Sequence, residues 1–156
     1  MRRLLWLVVA IGFGFSPLAE NGEDAKRFVG TWRLVSIESE GQPDPRGTHP
    51  IGLIYYDAAG NMAAQIMPDR DRPKWKLGEA PTPEQAKEAI TGYAAYFGTY
   101  TIDEKARTVS HHRKGSITPG GVGVDAVRRY EFAPGDRLIL TPIETPSLHL
   151  TWERAR

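Results

Sequence analysis

The side chains able to do chemistry are few, and the closest pair in sequence is His111-His112. An imidazole titrates near neutral pH, so either ring could move a proton or hold a hydrogen bond to a bound molecule. Adjacent residues of a strand point to opposite faces, which keeps the pair from closing on one metal ion. His49 and His149 are the other histidines and cysteine is absent, so no zinc-type donor set assembles and no metal site is expected. Gly121-x-Gly123-x-x-Ala126 has dinucleotide-loop spacing, but a strand-like run follows it. A pyrophosphate there would meet no helix N-terminus, so no cofactor is expected. Neither a Gly-x-Ser-x-Gly elbow nor a His-Glu-x-x-His helix occurs. Segment 67–76 gathers Arg70, Arg72, Lys74 and Lys76 around Trp75, yet Asp69 and Asp71 dilute the charge, so it reads as a solvated loop. What remains is a set of orienting groups: His111, Arg128, Gln65 and several tyrosines.

Composition narrows what these groups can serve. Twenty Lys+Arg face 19 Asp+Glu, a formal charge of +1, which argues against nucleic acid as a partner. Without cysteine there is no disulfide framework and no thiol nucleophile. The chain opens with Arg2-Arg3, 12 uncharged residues from 4 to 15, and Ser16-Pro17-Leu18-Ala19 before an acidic stretch. That order is a signal peptide's, so residues 1–19 are expected to be removed and the mature protein to lie in a periplasm or outside the cell. An apolar run this short does not span a bilayer, and no stable membrane span is expected in the mature form. Residues 20–27 read as a flexible leader and 28–156 as one domain.

The domain is mostly strand. Segments 28–38, 52–56, 61–67, 95–103, 107–117, 126–132, 137–141 and 148–154 are rich in β-branched and aromatic residues and separated by Gly/Pro turns. One helix interrupts them at 83–91, announced by Thr82-Pro83-Glu84-Gln85, a capping box with proline at the first helical position. Gly92 and Gly98 are both candidate stops. Short turns between successive strands make an antiparallel meander, and closing it removes two exposed edges. The expected fold is all-β: an eight-stranded antiparallel up-and-down barrel with one short inserted helix. Eight strands enclose just enough room for side chains, or for one small ligand.

Alternation assigns the interior. Leu148, Leu150 and Trp152 share one face with Arg154; Tyr130 and Phe132 share one with Arg128; Val109 takes His111 inward, leaving His112 outside. With Tyr55, Gln65, Tyr96 and Tyr100 these give an apolar, aromatic interior with few polar atoms, the make-up of a small-molecule site. The same side chains could equally fill a solid core.

Gly30-Thr31-Trp32 in the first strand and Arg154 ending the last resemble the lipocalin and calycin barrels. The ordered set Gly30-Thr31-Trp32, His49-Pro50-Ile51-Gly52, 93–101, 109–112, 127–130 and 150–154 is similar, more narrowly, to the bacterial lipocalin-like domain family. The resemblance implies that Gly30, Trp32 and Arg154 close the barrel floor, and that a pocket is present. It implies no particular substrate. Gly121 stands where relatives often carry an aromatic residue; were that aromatic a lid over the cavity, ligand preference here would differ.

The expected function is binding of a small apolar or amphipathic molecule in the lumen by Tyr55, Gln65, Tyr96, Tyr100, His111, Arg128, Tyr130 and Trp152, without catalysis. The alternative is an isomerase or cyclase in which His111 or a tyrosine transfers a proton. A filled interaction module is the third reading.

Overall fold

In a computed structural model that describes residues 22–40, 44 and 46–156, the chain forms a closed eight-stranded barrel. The proposed signal segment 1–19 lies outside the described residues. The strands are β1 (Gly30–Ser39), β2 (Ile51–Tyr56), β3 (Asn61–Met67), β4 (Ala94–Asp103), β5 (Thr108–Ser116), β6 (Asp125–Ala133), β7 (Arg137–Pro142) and β8 (Leu148–Arg154). Each pairs antiparallel with its sequence neighbour, and β1 pairs with β8 from Trp32↔Arg154 to Ser39↔Leu148, so no edge is left open.

Among the described residues two α-helices accompany the barrel where the sequence announces one. The announced helix, α2 (Pro83–Ile90), has its capping box: the Thr82 hydroxyl accepts from the Gln85 amide and the Gln85 side chain accepts from the Thr82 amide. It ends before Gly92, whose φ of 74° is the left-handed conformation that stops helices. None of its residues is buried, because Ala86, Ala89 and Ile90 make too small an apolar stripe to dock. It is held instead by Arg70, which donates to the Glu88 and Thr91 carbonyls, and by Arg72, which donates to that of Ala89.

The other helix, α1 (Glu23–Phe28), replaces the flexible leader expected over residues 23–27 and the strand start expected at Phe28, while residues 20–21 of that leader lie outside the described residues. Six residues do not hold a helix alone, since nucleation is costly. Distant groups hold this one. Glu104 Oε1, from the β4–β5 turn, accepts from the Asp24 and Ala25 amides; Asp24 Oδ2 accepts from Arg107 and from the Tyr130 hydroxyl, each at 2.8 Å. At its other end Arg154 donates to the carbonyls of Arg27 and Val29.

Thus α1 plugs one end of the barrel. Phe28 is fully buried and meets Tyr56, Tyr130 and Phe132 edge-on, with ring centroids 5.2, 5.0 and 5.3 Å away. Trp32 beneath it donates its indole N–H to the Phe28 carbonyl at 2.8 Å, and the Arg154 guanidinium lies 4.2 Å from the Trp32 ring. Gly30 makes room for that guanidinium: its φ is 136°, and a Cβ there would sit 2.6 Å from Arg154 Nη1. The three residues that the resemblance placed in the floor do meet there.

Gly98 answers a different crowding. The register shifts between Phe97 and Gly98, so β5 carries an extra residue at Lys114 and its backbone presses inward. A Cβ on Gly98 would lie 1.9 Å from the His112 carbonyl oxygen. Gly98→Ala should therefore destabilise the barrel by about 1–3 kcal/mol through overpacking. Denaturant unfolding checks this, and an unchanged midpoint would show that β5 relaxes freely at the bulge.

Candidate functional site

The lumen divides into two halves. The floor half is filled by the aromatic cluster, with Leu138 and Val109 completing it. The half nearer the long loops retains a space of about 70 Å³, walled by Ile54, Ala64, Ile66, Ala94, Leu140, Pro142, Leu148 and Leu150, with Tyr96, Trp152, Arg128 and Arg46 as its polar members. About five water-sized groups would fit such a volume. A larger recess of about 860 Å³ crosses the outer faces of β6, β7 and β8, but it is a shallow furrow with both charge signs, lined by Arg129, Glu131, Thr141 and His149. The lumen space is the more enclosed of the two, and its walls are mostly apolar, as small-molecule sites require.

Of the residues assigned to the pocket from sequence, Tyr96, Arg128 and Trp152 line this space. Tyr100 and Tyr130 point inward but belong to the floor, where the Tyr100 hydroxyl donates to the Asp57 carbonyl at 2.8 Å and the Tyr130 hydroxyl donates to Asp24. Burial pushes the Tyr100 phenol up to about 12, so it stays protonated. Tyr55 and Gln65 are corrections. Both lie on the outer wall, Tyr55 44% exposed and Gln65 accepting from the Tyr93 hydroxyl. In β2 the buried positions are Gly52, Ile54 and Tyr56, one residue out of step with the sequence reading. A one-residue slip reverses every face, and the run Gly52-Leu53-Ile54-Tyr55-Tyr56 has no polar residue to fix the parity.

His111 is fully buried, as alternation requires, but it does not line the space. It stands behind the wall between two phenols. Its Nε2 is 2.8 Å from the Tyr56 hydroxyl and its Nδ1 is 3.0 Å from that of Tyr96. Burial, together with the nearby Arg128 charge, holds its pKa well below the ordinary value, so the ring is neutral at pH 7. His112 faces outward, between Thr101 and Asp125. The two histidines therefore point to opposite sides of the sheet.

Arg46, which sequence reasoning missed, reaches the space from the β1–β2 loop with its charge matched by Asp44, Nε to Oδ1 and Nη2 to Oδ2 both 2.8 Å. A loop interrupted by prolines gives no period from which its direction could be read. Arg128 donates to the Ala126 carbonyl at 3.2 Å, and no carboxylate pairs with it among the described residues. Trp152 is buried with its indole N–H unpartnered. Among the described residues no group of three or more metal-binding side chains occurs, and no helix is long and apolar enough to cross a membrane.

A closed antiparallel meander with a plugged floor and a small apolar chamber defines a lipocalin-type barrel. The model of the lipocalin-like domain family matches residues 29–156, and the chain belongs to that family. Among solved structures it is similar to a DUF4847 family protein from Bacteroides vulgatus, with 15% identity and a TM-score of 0.46 over 86% of this chain and 98% of the other. It is also similar to a redesigned β-barrel, with 12% identity and a TM-score of 0.43 over 85% and 95% of the two chains. No curated protein matches.

Proposed function

We propose that this protein is exported and holds one small, largely apolar molecule in the loop-side half of its barrel. Export is supported by the basic, apolar and small-residue order of residues 1–19. Binding is supported chiefly by one observation: an enclosed space of about 70 Å³ with aliphatic walls, inside a barrel of the lipocalin-like family. The volume sets the scale of the guest at a handful of carbon atoms, well below a polycyclic compound. Catalysis by His111 has no support in this arrangement, since Tyr96 stands between it and the space.

A panel of linear compounds of three to five carbons should contain members that raise the melting temperature. A ligand at a hundred times its Kd adds about 2.7 kcal/mol to the native state, a shift of several degrees. Ala64→Leu or Ala94→Leu, each placing a larger side chain in the wall of the space, should remove that gain while leaving the protein folded. If no panel member raises the melting temperature and native mass spectrometry shows no adduct, the chamber is packing space and the reading fails.

A further inference from the structure

Among the described residues, the side-chain groups left unspent around the chamber are donors. Tyr56 is fully buried and its hydroxyl has a single partner, His111 Nε2. Were Nε2 to carry the ring proton, the Tyr56 hydroxyl would be forced to accept and its own proton would be left without an acceptor in a dry core. Tyr56 therefore donates to Nε2. A neutral imidazole then carries its proton on Nδ1, and Nδ1–H donates to the Tyr96 oxygen 3.0 Å away. This leaves the Tyr96 O–H unspent, on a residue that lines the chamber.

Two further donors share that wall. Arg128 has a guanidinium with five N–H groups, of which one meets the Ala126 carbonyl, and it lies 6.0 Å from the Tyr96 ring. Trp152 has a buried indole N–H with no acceptor among the described residues. The remaining cation, Arg46, is neutralised by Asp44, and the other lining side chains are hydrocarbon. A chamber that, among the described residues, has unspent donors, one unmatched positive charge and no free side-chain acceptor is complementary to an anion with an apolar tail.

We infer that the guest is a short carboxylate, its oxygens received by the Tyr96 hydroxyl and the Arg128 guanidinium and its chain lying against Ile54, Ile66 and Leu150. This rests on the reading of the chamber as a binding site. The probes are pentanoate, 1-pentanol and pentylamine, titrated calorimetrically into the folded protein. Pentanoate should bind at least tenfold more tightly than 1-pentanol, and pentylamine should bind most weakly. Arg128→Gln should bring pentanoate down to the level of the alcohol, whereas Arg128→Lys, which keeps the charge, should retain most of the preference. Nitrogen-15 shifts of His111 should report the Nδ1–H tautomer.

Alcohol bound as tightly as acid, or a preference that survives Arg128→Gln, overturns this inference and leaves the chamber a neutral binding site. An Nε2–H tautomer overturns it as well, because the Tyr96 proton would then be consumed inside the network. If none of the three probes binds, the inference falls, while the melting-temperature panel and native mass spectrometry decide the binding reading separately.

Discussion

Trp32→Ala should cost about 3–5 kcal/mol of stability, the usual range for removing a buried indole. A domain of this size has about 5–15 kcal/mol in total, so the variant should be close to unfolding at growth temperature. Three losses combine at this position. The indole is fully buried, and its removal opens a cavity under Phe28. Its N–H is the donor to the Phe28 carbonyl at the end of α1. The Arg154 guanidinium also loses the ring 4.2 Å away over which it lies, an attraction of about 0.5–2 kcal/mol. Because Arg154 also holds the carbonyls of Arg27 and Val29, the damage should spread to the plug. Trp32→Phe keeps part of the volume and should fall in between. Denaturant unfolding followed by circular dichroism measures both; a loss under about 1.5 kcal/mol for Trp32→Ala would mean that the floor closes without it.

The second large effect is expected with pH. His111 is fully buried and its pKa is held well below the 6.5 of an exposed imidazole, by burial first and by the Arg128 charge next, with His112 and Arg113 on its own strand adding to it. The groups in contact with it are the Tyr56 and Tyr96 hydroxyls, and the fully buried Tyr56 phenol is itself raised well above its usual range by burial, so it supplies no negative charge. Below pH 6.5 the unfolded chain therefore takes up a proton that the folded chain refuses. Stability is intact above that pH and falls by about 1.4 kcal/mol per unit below it, until the depressed folded pKa is reached. Unfolding measured between pH 7.5 and 5 should show this slope in the native protein. His111→Gln, which keeps a donor and an acceptor but takes no proton, should lack it. Parallel slopes for the two proteins would contradict the burial of a neutral ring. The two proteins differ only at residue 111, so every other group cancels from the comparison.

How much of this was legible beforehand follows from where the chain carries local contrast. In β6 and β8 apolar and polar residues alternate, and Tyr130, Phe132, Leu150 and Trp152 face inward as that alternation requires. The same rule separated His111 from His112. The Thr82-Pro83-Glu84-Gln85 box marked the start of α2 because a cap is a local hydrogen-bond pattern. Strand β2 offers no such contrast, so its sequence reads Tyr55 as inward where the fold buries Tyr56; the parity is set by pairing with β1 and β3, Ile54 opposite Trp32 and Ala64. The Tyr56–His111 bond joins residues 55 positions apart, so no local period could expose it.

The number of strands, their order and the closed barrel they form are written in local patterns, because β-propensity, turn residues and neighbour pairing all act over short stretches of chain. Tertiary structure alone decided that residues 23–28 become a plug, since Glu104, Arg107, Tyr130 and Arg154 supply the partners that six residues lack. It decided, too, that half the lumen is solid and half hollow. A cavity is the difference between the volume the strands enclose and the volume their side chains fill, and that difference exists only once all eight strands have closed.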